Sequence, residues 1–130
     1  MKAVGWGVTT ESGTAASQYL MSANVSRIDD QQCVNAYSQS FPVKPCGMIC
    51  AADPNRDACQ GDSGGPMVYA IDNEPTPYQV GIVSWGIGCA RPEYPGVYTK
   101  VAKYIDWIKA CCNDINSEEC VYPRPQNSCP

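Results

Sequence analysis

The clearest hydrophobic pattern in the chain is Gln79-Val80-Gly81-Ile82-Val83-Ser84-Trp85, rich in β-branched and aromatic residues and bounded by turn formers. Side chains of this kind suit the pleated, half-buried surface of a sheet, so the run predicts a strand. Met67-Val68-Tyr69-Ala70-Ile71 predicts a second, shorter strand, and Asp72-Asn73-Glu74-Pro75-Thr76-Pro77 predicts the loop between them. The period changes further on. Val101, Tyr104, Ile105 and Ile108 fall on one helical face, which predicts an amphipathic helix over 101–111 packed on the sheet. After Cys112 the chain turns polar, with Pro123, Pro125 and Pro130 among Asn, Ser and Glu. The reading is an all-β domain over 1–112, closed by a helix, followed by a Cys- and Pro-containing extension over 113–130. No segment repeats.

Composition narrows the class. A chain of 130 residues is long enough for one ordinary domain. Its net charge of −4 argues against nucleic acid or an anionic membrane as partner. No apolar run approaches the roughly 20 residues needed to cross a bilayer. Residues 1–20 lack a basic stretch followed by an apolar core, so no signal peptide is visible in them. Nine cysteines in so short a chain point to an oxidising, extracellular compartment. There is no histidine, so a zinc site would need four cysteines, and their spacing is poor for one. No metal or cofactor is expected.

The strongest chemical signal is Cys59-Gln60-Gly61-Asp62-Ser63-Gly64-Gly65-Pro66. One hydroxyl stands in a glycine-rich turn beside a carboxylate. A nucleophilic serine needs an exposed Oγ and free backbone N–H groups to receive the oxyanion formed on carbonyl attack. The usual base, histidine, is missing, so the chemistry is incomplete within these residues.

This segment resembles the active-site serine segment of the trypsin/chymotrypsin family. Other residues resemble that family in its own order. Gly5-Trp6-Gly7 is similar to its GWG turn, and Ile82-Val83-Ser84-Trp85-Gly86-Ile87-Gly88-Cys89 to its substrate-binding strand. Pro95-Gly96-Val97-Tyr98-Thr99-Lys100-Val101 is similar to the next strand, and Tyr104-Ile105-Asp106-Trp107-Ile108 to its closing helix. Asp29-Asp30-Gln31-Gln32-Cys33 resembles the start of its intermediate helix. The resemblance covers roughly 3–110 and only the family's C-terminal half. It implies the six-stranded antiparallel barrel that forms the second half of a double-barrel fold. The first barrel, with the catalytic His and Asp, is then expected upstream.

The resemblance also implies roles. Ser63 is the acyl-accepting nucleophile, and the N–H groups of Gly61 and Ser63 form the oxyanion hole. Asp62 is the carboxylate that pairs with a new N-terminus on activation; no such N-terminus occurs in this chain, so Asp62 is expected to be unpaired and the hole unformed. Asp57 matches the base of the primary substrate pocket, with Ala58 and Gln60 beside it and Gly86 and Gly96 as bare walls. Ser84, Trp85 and Gly86 hold the substrate backbone by strand addition. A carboxylate at the bottom of a slot selects a cationic side chain, so cleavage after Arg or Lys is expected. Ala58 stands where many relatives carry serine and tilts the preference toward Arg. The implied disulfides are Cys33–Cys50 and Cys59–Cys89. Cys46, Cys111, Cys112, Cys120 and Cys129 remain, an odd number that leaves at least one free or bonded elsewhere.

Two readings stay open. One is a trypsin-like serine endopeptidase whose 130-residue portion is inactive alone, with a protein substrate, the missing N-terminal barrel and protease inhibitors as partners. The other is a non-catalytic homologue that binds or inhibits proteins. A third reading fails: Gly61-Asp62-Ser63-Gly64-Gly65 also matches a G-x-S-x-G elbow, but that site needs a downstream histidine on an α/β scaffold.

Overall fold

In the computed structural model, which describes residues 1–113, the chain runs through β1 (Lys2–Gly5), β2 (Met21–Asn24), β3 (Ser26–Arg27) and helix α1 (Asp30–Ala36). It continues through β4 (Met48–Ala52), β5 (Pro66–Tyr69), β6 (Tyr78–Trp85) and β7 (Gly96–Lys100). A 3₁₀ turn over Val101–Tyr104 then leads into α2 (Ile105–Asn113). The strands form one antiparallel sheet in the order β2-β1-β5-β6-β7-β4-β3. Its outer members, β2 and β3, are separated in sequence only by Val25.

Val25 is what turns this sheet into a barrel. Its N–H donates to the Met1 carbonyl at 3.0 Å, extending the pairing of β1 with β2. Three residues on, the Ile28 N–H donates to Cys50 O at 2.9 Å, extending the pairing of β3 with β4. Val25 itself is buried in the interior. The expected six strands therefore appear as seven segments, because one strand bends at Val25 to serve both edges.

The period of two along β4 and β7 separates two cores. Ile49, Ala51 and Tyr98 point inward with Ala3, Val25 and Met67, filling the barrel. Met48, Cys50 and Val97 point outward and pack with Cys33, Tyr37 and Val43 under α1. Helix α1 begins where Asp29 accepts the N–H groups of Gln31 and Gln32, at 2.9 and 3.1 Å, satisfying donors that have no partner within the helix. A Cys33–Cys50 disulfide ties this helix to β4, and Tyr37 donates to Pro95 O at 2.7 Å just ahead of β7.

Two boundaries differ from expectation. β5 ends at Tyr69 rather than Ile71, because the hairpin turn already begins there: Glu74 N–H donates to Ile71 O at 3.1 Å. The C-terminal helix starts as a 3₁₀ turn, since the chain leaves β7 from an extended Lys100 and must tighten at once. α2 buries no residue completely, so it lies on the barrel as a half-exposed element. Cys46 and Cys111 are both disulfide-bonded, and Cys112 carries a free, exposed thiol. Apart from Asn113, the proposed extension over 113–130 lies outside the described residues.

Replacing Cys33 and Cys50 by alanine removes a cross-link between residues 17 apart. The expected loss is about 3 kcal/mol of unfolding free energy, read from the urea midpoint, and an unchanged midpoint would contradict it. Gly65→Ala places a Cβ at 2.8 Å from Asp62 O and 2.9 Å from Val4 O, backbone atoms that cannot swing aside. The same measurement is expected to show a loss of about 1–3 kcal/mol.

Candidate active site

The segment 59–65 is built as a set of turns sewn onto β6. Asp62 N–H donates to Cys59 O at 3.0 Å and Gly65 N–H to Asp62 O at 2.8 Å. Gly64 N–H then bonds Val83 O, and Val83 N–H bonds Gly65 O, both at 2.9 Å. Gly61 and Gly64 adopt φ of 94° and 79°, a region that a side chain disfavours. Ser63 projects from the apex of this turn and is exposed. Among the described residues nothing accepts the N–H of Gly61 or of Ser63. The Cys59–Cys89 disulfide fastens the start of the segment to the loop after β6.

Asp62 forms no ion pair among the described residues, but backbone donors hold its carboxylate. Its carboxylate turns away from Ser63 and accepts Gly7 N–H at 2.8 Å and Cys59 N–H at 2.9 Å. Nothing in the sequence signalled that the backbone of the loop that follows β1 would supply one of these donors. The close approach requires glycine on that loop, because a Cβ at either Gly5 or Gly7 would overlap the Asp62 carboxylate.

Ser63 opens onto a cavity of about 180 Å³. Asp57, Ala58 and Gln60 line it from the same segment, Ser84 and Trp85 from the end of β6, Gly86 from just beyond it, and Gly96 from the start of β7. All the residues assigned from sequence to substrate binding thus come together around one space. Gly61 and Asp62 do not line it; Asp62 instead faces a second cavity of about 230 Å³. The two cavities share the wall Asp57-Ala58-Cys59.

Asp57 is partly buried in that wall and held by backbone donors: Ala58 N–H to Oδ1 at 2.8 Å and Ala90 N–H to Oδ2 at 3.2 Å. The Tyr98 hydroxyl stands 3.4 Å from Oδ1. Burial pushes the Asp57 carboxyl above the usual carboxylate range, and the two backbone N–H groups only partly offset it. Burial, with the Asp57 charge behind it, likewise raises the Tyr98 phenol. The raised acid carries a sign for folding. Its contribution to stability is full below the unfolded value near ~3.9 and is lost as pH rises through the higher folded value. Gly96 must be bare, because a Cβ there would overlap Asp57 Oδ1. At Gly86 a Cβ would make only ordinary contacts, 3.7 Å to Tyr37 Oη and 3.8 Å to Gly96 Cα, so its bareness serves the width of the cavity.

β6 shifts register against β7 between Val83 and Trp85, so Ser84 has no cross-strand partner on β7. β5 ends its pairing with β6 at Ile82. The Ser84-Trp85 backbone therefore extends beyond β5, while on the other side Trp85 still pairs with Val97 of β7. Trp85 is packed edge-on by Tyr37 (centroids 4.8 Å apart) and by Phe41 (5.9 Å).

Sequence reasoning missed several of these partners. Tyr98 could have been found from the period of β7, which turns it inward. The Ala90 N–H, the Gly7 N–H and the exposed Phe41 gave no sequence signal, because each acts through a loop whose path the pattern does not define. An ion pair of Glu11 with Arg91, between residues 80 apart, was also missed.

Comparison with known proteins agrees with this architecture. The family model described as Trypsin matches residues 1–108. The chain is 50% identical over 106 residues to trypsin eta of Drosophila erecta, covering 80% of this chain and 38% of that protein. It is 46% identical over 108 residues to trypsin-1 of Astacus astacus (82% and 44%). It is 45% identical over 112 residues to the urokinase-type plasminogen activator of Gallus gallus (85% and 25%). The chain thus spans less than half the length of these curated relatives. A match that runs from β1 into α2 cannot rest on the serine motif alone: the chain belongs to the trypsin family of serine proteases.

Proposed function

We propose that these residues form the barrel that carries the nucleophile and the specificity pocket of an endopeptidase cleaving after Arg or Lys. The observation that carries this reading is that Ser63 and the half-buried Asp57 line one cavity. A guanidinium or ammonium entering it would meet a carboxylate already paired with two N–H donors and still short of a counter-charge. The substrate backbone adds along Ser84-Trp85-Gly86, on the side where β5 no longer pairs. This lays the scissile carbonyl beside Ser63. Ser63 Oγ attacks, its proton passes to a base, and the oxyanion is received by the Gly61 and Ser63 N–H groups. Collapse releases the amine product and leaves an acyl-serine, which water hydrolyses.

The base has to come from elsewhere. The sequence contains no histidine, and the chain covers 38% and 44% of its trypsin relatives. We assign the His and Asp to a second barrel, packed against the face that exposes Trp6, Tyr19, Leu20 and Met21. Four of the cysteines in two disulfides, with two more bonded, support an extracellular setting, where protein protease inhibitors are natural ligands of such a cleft. The competing reading, a non-catalytic binding module, draws on the same lack of histidine.

Purified 1–130 is expected to give no turnover of an Arg-ended chromogenic substrate. The full-length protein is expected to turn it over and to lose about 10⁶-fold in kcat on Ser63→Ala. A full-length protein indifferent to that change would leave the binding-module reading in place. The cavity itself can be tested with benzamidinium, an aryl cation. Its affinity is expected to fall about tenfold per pH unit once Asp57 protonates, beginning above the ordinary carboxylate value near ~3.9 because burial raises it. Affinity that stays level from pH 7 to 4 would count against Asp57 as the cation partner.

A further inference from the structure

The orientation of Asp57 depends on an N–H that the serine segment does not supply. Ala90 donates to its Oδ2 at 3.2 Å. Ala90 is not glycine, yet it adopts φ of 54°, a left-handed conformation that a Cβ disfavours. The surrounding structure has to impose it. On one side the Cys59–Cys89 disulfide anchors the preceding residue. On both sides Glu11 acts as a bracket. Its Oε2 accepts Cys89 N–H at 3.2 Å, just before Ala90. Its two oxygens accept Arg91 Nε at 3.1 and 3.0 Å, just after Ala90, and Oε1 also accepts Arg91 Nη2.

Room for this clasp is built in. Gly88 sits at φ of 73°, and a Cβ there would overlap the Arg91 side chain and come to 2.7 Å of Glu11 Oε2. The Arg91 guanidinium holds the Glu11 carboxyl down to about 2, so the pair is charged across the working pH range. An exposed ion pair contributes little to global stability. This one is fork-shaped and spans the residue that orients a buried carboxylate, so its effect is expected locally.

We propose that Glu11 and Arg91 are positioning residues for the specificity carboxylate: their clasp fixes the Ala90 N–H, and through it the aim of Asp57 at a bound cation. The proposal rests on reading Asp57 as the cation partner. It makes the loop that follows β1 a determinant of cation affinity, although that loop lies outside the cavity that holds the cation.

The test measures benzamidinium affinity by calorimetry on the native full-length protein, together with KM and kcat on an Arg-ended substrate. Glu11→Ala and Arg91→Ala are each expected to weaken benzamidinium three- to tenfold and to raise KM similarly. The kcat should stay within twofold and Tm within about 2 °C. The double variant is expected to lose no more than the larger single loss, because both act through one clasp. Arg91→Lys should recover part of the affinity. Wild-type affinity in both alanine variants, additive losses, or affinity falling only in step with Tm would overturn the proposal. Asp57→Asn serves as the reference. If it abolishes binding while the alanine variants bind normally, the clasp alone is wrong; if it binds like wild type, the cation reading fails and the clasp with it.

Discussion

The site depends on one carboxylate that faces away from it. Asp62 accepts N–H groups from Gly7 and Cys59, residues that belong to the loop after β1 and to the start of the serine turn. With its side chain committed inward, the backbone on either side is forced outward, leaving Ser63 exposed and the Gly61 and Ser63 N–H groups without protein acceptors. A carboxylate bonded to backbone donors in a partly buried setting is a strong restraint, because freeing it would strand both donors and a charge. The glycines at 5 and 7 are there because this contact leaves no space for a Cβ.

The same restraint links two cavities. Asp57, Ala58 and Cys59 form a thin wall with the Ser63 cavity on one side and the Asp62 cavity on the other. Nothing in that wall is free to move by itself. Asp57 is bonded to Ala90, Cys59 is bonded to Cys89 and to Asp62, and the turn beyond is stitched to Val83. The wall is thus held from both of its faces.

Much of this was legible in the residues. The strand at 79–85 was readable because hydrophobic runs are a local property, and Ser63, Asp57, Ser84, Trp85, Gly86 and Gly96 were readable because short motifs keep their spacing. The contacts that complete the site were not. Asp62 meets Gly7 across 55 positions, and Glu11 meets Arg91 across 80; no period or motif encodes such pairs. The bend at Val25 was hidden for another reason. Asn24-Val25-Ser26 carries no hydrophobic period, and only the closed sheet shows that the one apolar residue in it must turn inward. The 3₁₀ entry to α2 was missed because apolar spacing of three fits both helical forms.

Because one bent strand serves as both outer members of the sheet, the barrel presents almost no open rim. Most sheet proteins must guard their rims against pairing with other chains. Here the guard is topological, and near Ser63 it lapses at Ser84, which β5 does not reach and which has no partner on β7. An extended chain that meets this surface finds unpaired backbone at Ser84, which lines the same cavity as Ser63. Closure of the barrel thus acts as a filter on orientation: joining both ends of the sheet through Val25 leaves a passing chain fewer docking lines before any side chain has been read.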